Sequence, residues 1–243
     1  MDTLEDGPFS WNRPTPEDSL GDPYEPQVGS YPENSLTPED VENATETGTT
    51  IVGVTTDTGV VMASDMRASL AGRVVVNKNV KKVEEIQPNA ALSMSGSVGG
   101  AQAFIRSLRA EANLYEARRE EYMSIHALAT MGSNFLRGGP FFIVVPILAG
   151  VDDDGSHVYS LDPSGSSLAD DYTAKGSGMP YALGVLEQEY EEDLTMDEGV
   201  QVAAAAIQSA VERDTASGDG IHVTKITRNE VDIVGYTDFE DVL

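Results

Sequence analysis

Helical periodicity appears twice in this chain, each time as a pair of neighbouring segments. Ala101, Ile105, Leu108, Ala112 and Tyr115 share one face of a first predicted helix. Ser124 caps a second that carries Ile125, Leu128, Ala129 and Phe135. A third is expected from about Pro180 to Tyr190, with proline as a good first helical residue. A fourth opens on the capping box Thr195-Met196-Asp197-Glu198 and runs to about Arg213. Strand-forming runs surround these pairs. They cover residues 50–56, 60–64, 73–76, 82–86 and 90–95 before the first pair, 141–151 and 156–161 between the pairs, and 222–227 and 231–236 after the second. Paired helices are not a βαβ alternation, so the sheets should be mainly antiparallel. Two sheets face to face, with a helix pair on each outer side, would bury every apolar face. The expected fold class is therefore α+β, a four-layer αββα sandwich.

That domain should begin at residue 49. Residues 1–48 hold seven of the twelve prolines and twelve acids, against the single base Arg13. Such a segment buries too little apolar surface to offset the entropy of ordering it. It reads as an acidic disordered tail, or more sharply as a removable propeptide, with one compact domain at 49–243. The whole chain has 41 acidic and 15 basic residues, a net charge of −26, and only five lysines. The acids are spread throughout, which favours adaptation to high salt over one acidic binding patch. A surface of this sign argues against nucleic-acid and anionic-membrane partners. With no cysteine there is neither a disulfide framework nor a thiolate metal site. No apolar run approaches membrane-spanning length, and the N-terminus has no secretory signal pattern, so a cytoplasmic location is expected. The turn Asp152-Asp153-Asp154-Gly155 has the wrong spacing for a calcium loop.

The candidate chemistry starts at Thr47-Gly48-Thr49-Thr50-Ile51-Val52, where the polar leader meets the first β-branched run. Read alone, Thr49 simply opens a strand. Cutting between Gly48 and Thr49 would place a hydroxyl nucleophile and a free α-amine, its potential base, on one residue. A hairpin turning near Thr58 sets Thr49 opposite about Arg67, with Asp65 two positions away. Lys81 and Lys82 start the next strand. Alternation allows only one of them to point inward, where it would lower the hydroxyl pKa. The turn Ser95-Gly96-Ser97 offers a backbone donor for an oxyanion. Lys175-Gly176-Ser177-Gly178 and Arg213-Asp214-Thr215-Ala216-Ser217-Gly218 are explained by ordinary turn chemistry. No phosphate loop or dinucleotide fingerprint is present, and His126, His157 and His222 lie on unrelated elements. No cofactor or metal is expected.

Taken in order, these motifs resemble the archaeal proteasome β-subunits, threonine proteases of the N-terminal nucleophile hydrolase superfamily. The residues that carry the resemblance are Thr47-Gly48-Thr49-Thr50, Ser64-Asp65-Met66-Arg67-Ala68-Ser69, Lys81-Lys82-Val83 and Met94-Ser95-Gly96. Further on they are Gly176-Ser177-Gly178 with Tyr181-Ala182-Leu183-Gly184-Val185-Leu186, and Arg213-Asp214 with Ser217-Gly218. The likeness spans residues 47–243 and is not apparent over the leader. The low pI looks like the halophilic branch of the family.

The resemblance implies that Thr49 is the nucleophile, freed by self-cleavage after Gly48. Asp65 and Lys82 orient it, and the Gly96 N–H is the oxyanion donor. Ser177, Asp214 and Ser217 hold the terminal amine. Lys82 is taken over Lys81 because it directly precedes the valine, although the chain is one residue longer than usual between Asp65 and that lysine. Ile51 replaces a common threonine and Ser95 a common alanine. Met94 resembles the floor of a specificity pocket walled by Ala68, Ser69, Val80 and Val98, which implies cleavage after hydrophobic residues. Also implied are partner α-subunits and other β-subunits in four stacked seven-membered rings, an unfoldase ATPase, and unfolded proteins as substrates. The alternatives are a subunit of the bacterial two-ring threonine protease, an inactive structural ring subunit, and an acidic interaction protein.

Overall fold

The computed structural model describes residues 48–70, 72–139, 141 and 143–243. The expectations about the leader before Gly48 lie outside the described residues. The strands are β1 Thr50–Thr55, β2 Val60–Asp65, β3 Ala68–Leu70, β4 Val74–Asn77, β5 Val83–Gln87 and β6 Ala90–Gly96. The first helix pair is α1 Val98–Arg119 and α2 Ile125–Gly138. Strands β7 Val144–Asp152, β8 Gly155–Leu161, β9 Ser167–Asp170 and β10 Tyr172–Gly176 follow. The second pair is α3 Met179–Glu189 and α4 Met196–Arg213, and β11 Ile221–Ile226 and β12 Val231–Tyr236 close the domain.

Two five-stranded antiparallel sheets form, in the orders β10-β1-β2-β11-β12 and β5-β6-β7-β8-β9. Helices α3 and α4 pack on the first sheet and α1 and α2 on the second, while β1 and β2 face β6, β7 and β8. This is the four-layer αββα sandwich. Burial explains why β1 and β2 read as continuous apolar runs rather than alternating ones. Ile51, Val60 and Met62 point into the space between the sheets, with Ile147, Ala149 and Val158. Val52, Val54, Val61 and Ala63 point the other way, into the layer made with Ala203, Ala206 and Ile207 of α4. Both faces of the strand pair are covered, so alternation carries no solvent signal.

The helix starts are set by their caps. Ser97 Oγ accepts from Gly100 N, and Ser124 Oγ accepts from Ala127 N. At α4 the Thr195 and Glu198 side chains satisfy each other's backbone N–H groups in the expected capping box. On α2 the expected Ile125, Leu128 and Ala129 are buried, but the face continues through Leu136, while Phe135 is half-buried. The chain folds differently from expectation at β3, β9 and β10, which were not anticipated. The β9–β10 segment, Ser167-Leu168-Ala169-Asp170-Asp171-Tyr172-Thr173-Ala174-Lys175-Gly176, has no apolar run. It is ordered as two strands by its neighbours: β9 pairs along β8, from Leu161 with Ser167 to Val158 with Asp170, and β10 along β1, from Thr50 with Gly176 to Val54 with Tyr172. The first hairpin also differs. Ile51 pairs with Ser64, and Thr55 with Val60, one residue tighter than the expected register. The turn closes with Thr56 N donating to Gly59 O at 2.8 Å.

Candidate active site

The tighter register sets Asp65 opposite Thr50, at the end of the buried strand pair. Asp65 is 0 % exposed, so its charge needs partners on every lone pair. Oδ1 accepts from Lys82 Nζ at 2.6 Å, from Thr50 N at 2.9 Å and from Thr49 Oγ1 at 3.5 Å. Oδ2 accepts from Arg67 N and Gly218 N, both at 3.0 Å. Five donors from four chain segments thus converge on one carboxylate beside the Thr49 hydroxyl.

The two adjacent lysines separate as strand alternation requires. Lys82 turns inward to Asp65, whereas Lys81 is half-exposed and lies 3.9 Å from Glu84. Burial pushes the Lys82 ammonium below the ordinary lysine pKa of 10.5, against the opposing attraction of Asp65. His222, paired with Ser64 across β11–β2, borders the same region. Its imidazole pKa is lowered by burial and then by the nearby charges of Lys81 and Lys82.

A second network surrounds the Thr49 backbone. Thr49 N donates to Ser177 Oγ at 3.1 Å. Ser177 Oγ donates to Asp214 Oδ2 at 2.6 Å, and Ser217 Oγ donates to the same oxygen at 2.7 Å. Thr50 Oγ1 lies 2.8 Å from Ser217 Oγ, which ties this network back to β1. In the intact chain Thr49 N is a peptide amide with no basic lone pair.

Two glycines permit the close approach. Gly176 has φ +99, and a Cβ there would sit 2.1 Å from Thr49 O. No other residue type takes that backbone conformation against that carbonyl without displacing it. At Gly48 the constraint is space rather than backbone angle, because a Cβ would lie 1.8 Å from Ala216 Cβ.

A cleft of about 240 Å³ opens beside Thr49. Ala68, Val80, Met94, Gly96 and Val98 line it, as does Lys82. Ser69 does not. It is 1 % exposed with its hydroxyl turned into the protein, so the expected pocket wall is corrected at that position. Most of the expected site residues come together here: Thr49, Asp65, Lys82, Ser177, Asp214 and Ser217 in one hydrogen-bonded cluster, and Gly96 on the cleft wall. Sequence reasoning gave no role to Arg67 and Gly218, whose backbone N–H groups complete the Asp65 site. It also missed the α1 wall formed by Ala101, Gln102, Ile105, Arg106 and Arg109. The signal for that wall was present as the spacing from Val98 to Arg109, which repeats at three and four residues along one helix face. Among the described residues no cluster of His, Cys, Asp or Glu has the arrangement of a metal site. No helix among them is long and apolar enough to cross a membrane.

A four-layer αββα sandwich whose first strand opens on a buried threonine is the architecture of the N-terminal nucleophile hydrolases. Comparison with known proteins narrows this. The family pattern described as "Proteasome subunit" matches residues 45–226. The chain is 69 % identical over 235 residues to "Proteasome subunit beta" of Halobacterium salinarum, covering 97 % of this chain and 96 % of that one. It is 61 % identical over 229 residues to "Proteasome subunit beta 1" of Haloterrigena turkmenica, covering 93 % and 94 %. It is 58 % identical over 229 residues to the β subunit of Natronomonas pharaonis, covering 94 % and 96 %. The chain therefore belongs to the proteasome subunit family, among β-subunits of halophilic archaea. That family is one of proteases that work as assemblies of subunits. A match to 97 % of the chain also reaches well into the segment before Thr49, so the likeness does not stop at the leader as the motifs alone suggested.

Proposed function

We propose that this chain is a catalytic, threonine-type endopeptidase subunit of a proteasome core particle, activated by its own cleavage between Gly48 and Thr49. The observation that carries the reading is the pair of networks converging on Thr49. Asp65 and Lys82 stand at its hydroxyl, and Ser177, Asp214 and Ser217 at its backbone nitrogen.

In processing, Thr49 Oγ attacks the Gly48 carbonyl carbon and the peptide C–N bond breaks, leaving an ester on Oγ and a free α-amine on Thr49. Water then hydrolyses the ester, releasing the leader with a Gly48 carboxylate. The new amine has an ordinary pKa of about 7.7–8, suited to accepting a proton near neutrality. In turnover it takes the proton from Thr49 Oγ as that oxygen attacks a substrate carbonyl, and it returns the proton to the departing amine. The acyl ester is then released by water. The positive charge on Lys82 favours the alkoxide-like character that develops on Oγ, and Asp65 fixes the ammonium in place. The Gly96 side of the cleft receives the carbonyl oxygen. The apolar walls from Ala68, Val80, Met94 and Val98 favour a hydrophobic side chain before the bond that is cut.

The same reading gives the chain α-subunits and further β-subunits as ring partners in a four-ring, seven-fold barrel, with an unfoldase ATPase delivering unfolded chains. The β3–β4 hairpin supports docking against another subunit. Its Leu70, Val74 and Val76 are 47 %, 56 % and 62 % exposed, an apolar patch that an isolated soluble chain has reason to cover.

The test is Thr49→Ala in assembled particles. The expected outcome is retention of the leader and loss of hydrolysis of a fluorogenic peptide ending in leucine or tyrosine. Turnover of that peptide by the variant at a rate near the parent's would refute the reading.

A further inference from the structure

The cleft beside Thr49 reverses the charge of the rest of the protein. Arg67, Lys81, Lys82, Arg106 and Arg109 line it, five of the 15 basic residues in the sequence, whereas Glu84 alone represents the 41 acids. The cations are unequally neutralised. Lys82 is matched by Asp65, and Arg67 by Asp219 at 2.7 Å. Lys81 and Arg109 share one carboxylate, Glu84, at 3.9 and 3.4 Å, and Arg109 also donates to the Glu85 carbonyl. Arg106 is exposed and has no ion pair or hydrogen bond among the described residues. The end of the cleft formed by α1 thus carries three cations against one anion.

The helix geometry aims this charge at the reacting end. Val98, Ala101, Gln102, Ile105, Arg106 and Arg109 form one face of α1. Arg106 lies about 12 Å along the axis from Val98, at about 1.5 Å per residue. Helical side chains lean toward the N-terminus, so the Arg106 guanidinium covers the turn on its Val98 side. A free guanidinium fork in a partly enclosed cleft is suited to a carboxylate, which it can hold through two parallel N–H donors.

We infer that this end of the cleft binds a carboxylate on the substrate polypeptide, with Arg106 as the specificity-determining group. The inference rests on the reading of the cleft as the substrate site, and it adds a preference for acid-bearing substrates to the apolar one. The carboxylate belongs either to the side chain that fills the cleft or to the residue two positions earlier. In an extended chain those two residues face the same side.

The experiment uses assembled, processed particles and two pairs of fluorogenic peptides. One pair differs only by Glu or Gln immediately before the bond. The other has Leu there and Glu or Gln two residues earlier. The expected result is a higher kcat/KM for the Glu peptide in one pair, which identifies the position. That excess should fall about tenfold in Arg106→Gln, as expected for loss of one charge-assisted hydrogen-bonded contact. It should be reduced but not abolished in Arg106→Lys, which keeps the charge and loses the fork. It should persist in Lys225→Gln, a control whose ammonium pairs with Asp197 away from the cleft. Equal rates within both pairs, or the same Glu/Gln ratio in the parent and Arg106→Gln, would overturn the inference while leaving the threonine mechanism intact. Failure of the parent to cleave any peptide would overturn both.

Discussion

Lys82 and Lys81 are adjacent, carry the same charge and have opposite fates. Lys82 donates at 2.6 Å to a fully buried carboxylate, while Lys81 makes a loose exposed pair at 3.9 Å. Removing the Lys82 ammonium strands the Asp65 charge in the interior, a loss on the order of 3–5 kcal/mol for a broken buried pair. Lys82→Ala should therefore lower the melting temperature and abolish peptide hydrolysis. Lys81→Ala should change both only slightly, and the opposite pattern would exchange their roles. The pKa shift adds a direction to the pH profile. In the proposed mechanism the protonated ammonium is the working form, and burial depresses its pKa below 10.5, so activity should fall on the alkaline side before an ordinary lysine would titrate. A kcat–pH curve measured on processed particles checks this. At this scale much of the site was legible, because the Thr49, Asp65 and Ser177 motifs are local strings. What sequence could not supply was the partner list of Asp65. Gly218 N–H lies 153 positions away and becomes a donor only because β11 pairs with β2.

Among the elements, legibility followed burial. β1, β2 and β7 are covered on both faces or nearly so, and their β-branched runs stood out. β9 and β10 are polar edge segments held by pairing to a neighbour, so no local pattern announced them. The first hairpin was recognised, but its register was one residue off because turn length, not strand pattern, sets it. The junction entering β1 is equally dependent on distant elements, since Gly48 lies against Ala216 in the loop after α4. A branched side chain at residue 48 must push that loop or the Gly48 carbonyl out of place. Gly48→Val should thus slow leader removal strongly while leaving the folded core intact. A time course of processing on denaturing gels, with a circular dichroism melt of the same preparation, separates the two effects.

The charge of the whole molecule opposes its compactness unless salt screens it. With a net charge of −26 on 243 residues, self-repulsion acts across the entire surface. The Debye length shrinks from about 10 Å at 0.1 M salt to about 3 Å at 1 M. The melting temperature should therefore rise over that range, and a flat salt response would show that the acids are locally compensated. Composition alone made this property legible. The cationic cleft hidden within it was not, because its basic residues come from three separate segments of the sequence. The central claim concerns one bond. Intact-mass spectrometry of the subunit taken from active assembled particles tests it most directly. The account predicts the mass of a chain beginning at Thr49, whereas fully active particles containing only the uncleaved 25.9 kDa chain would contradict it.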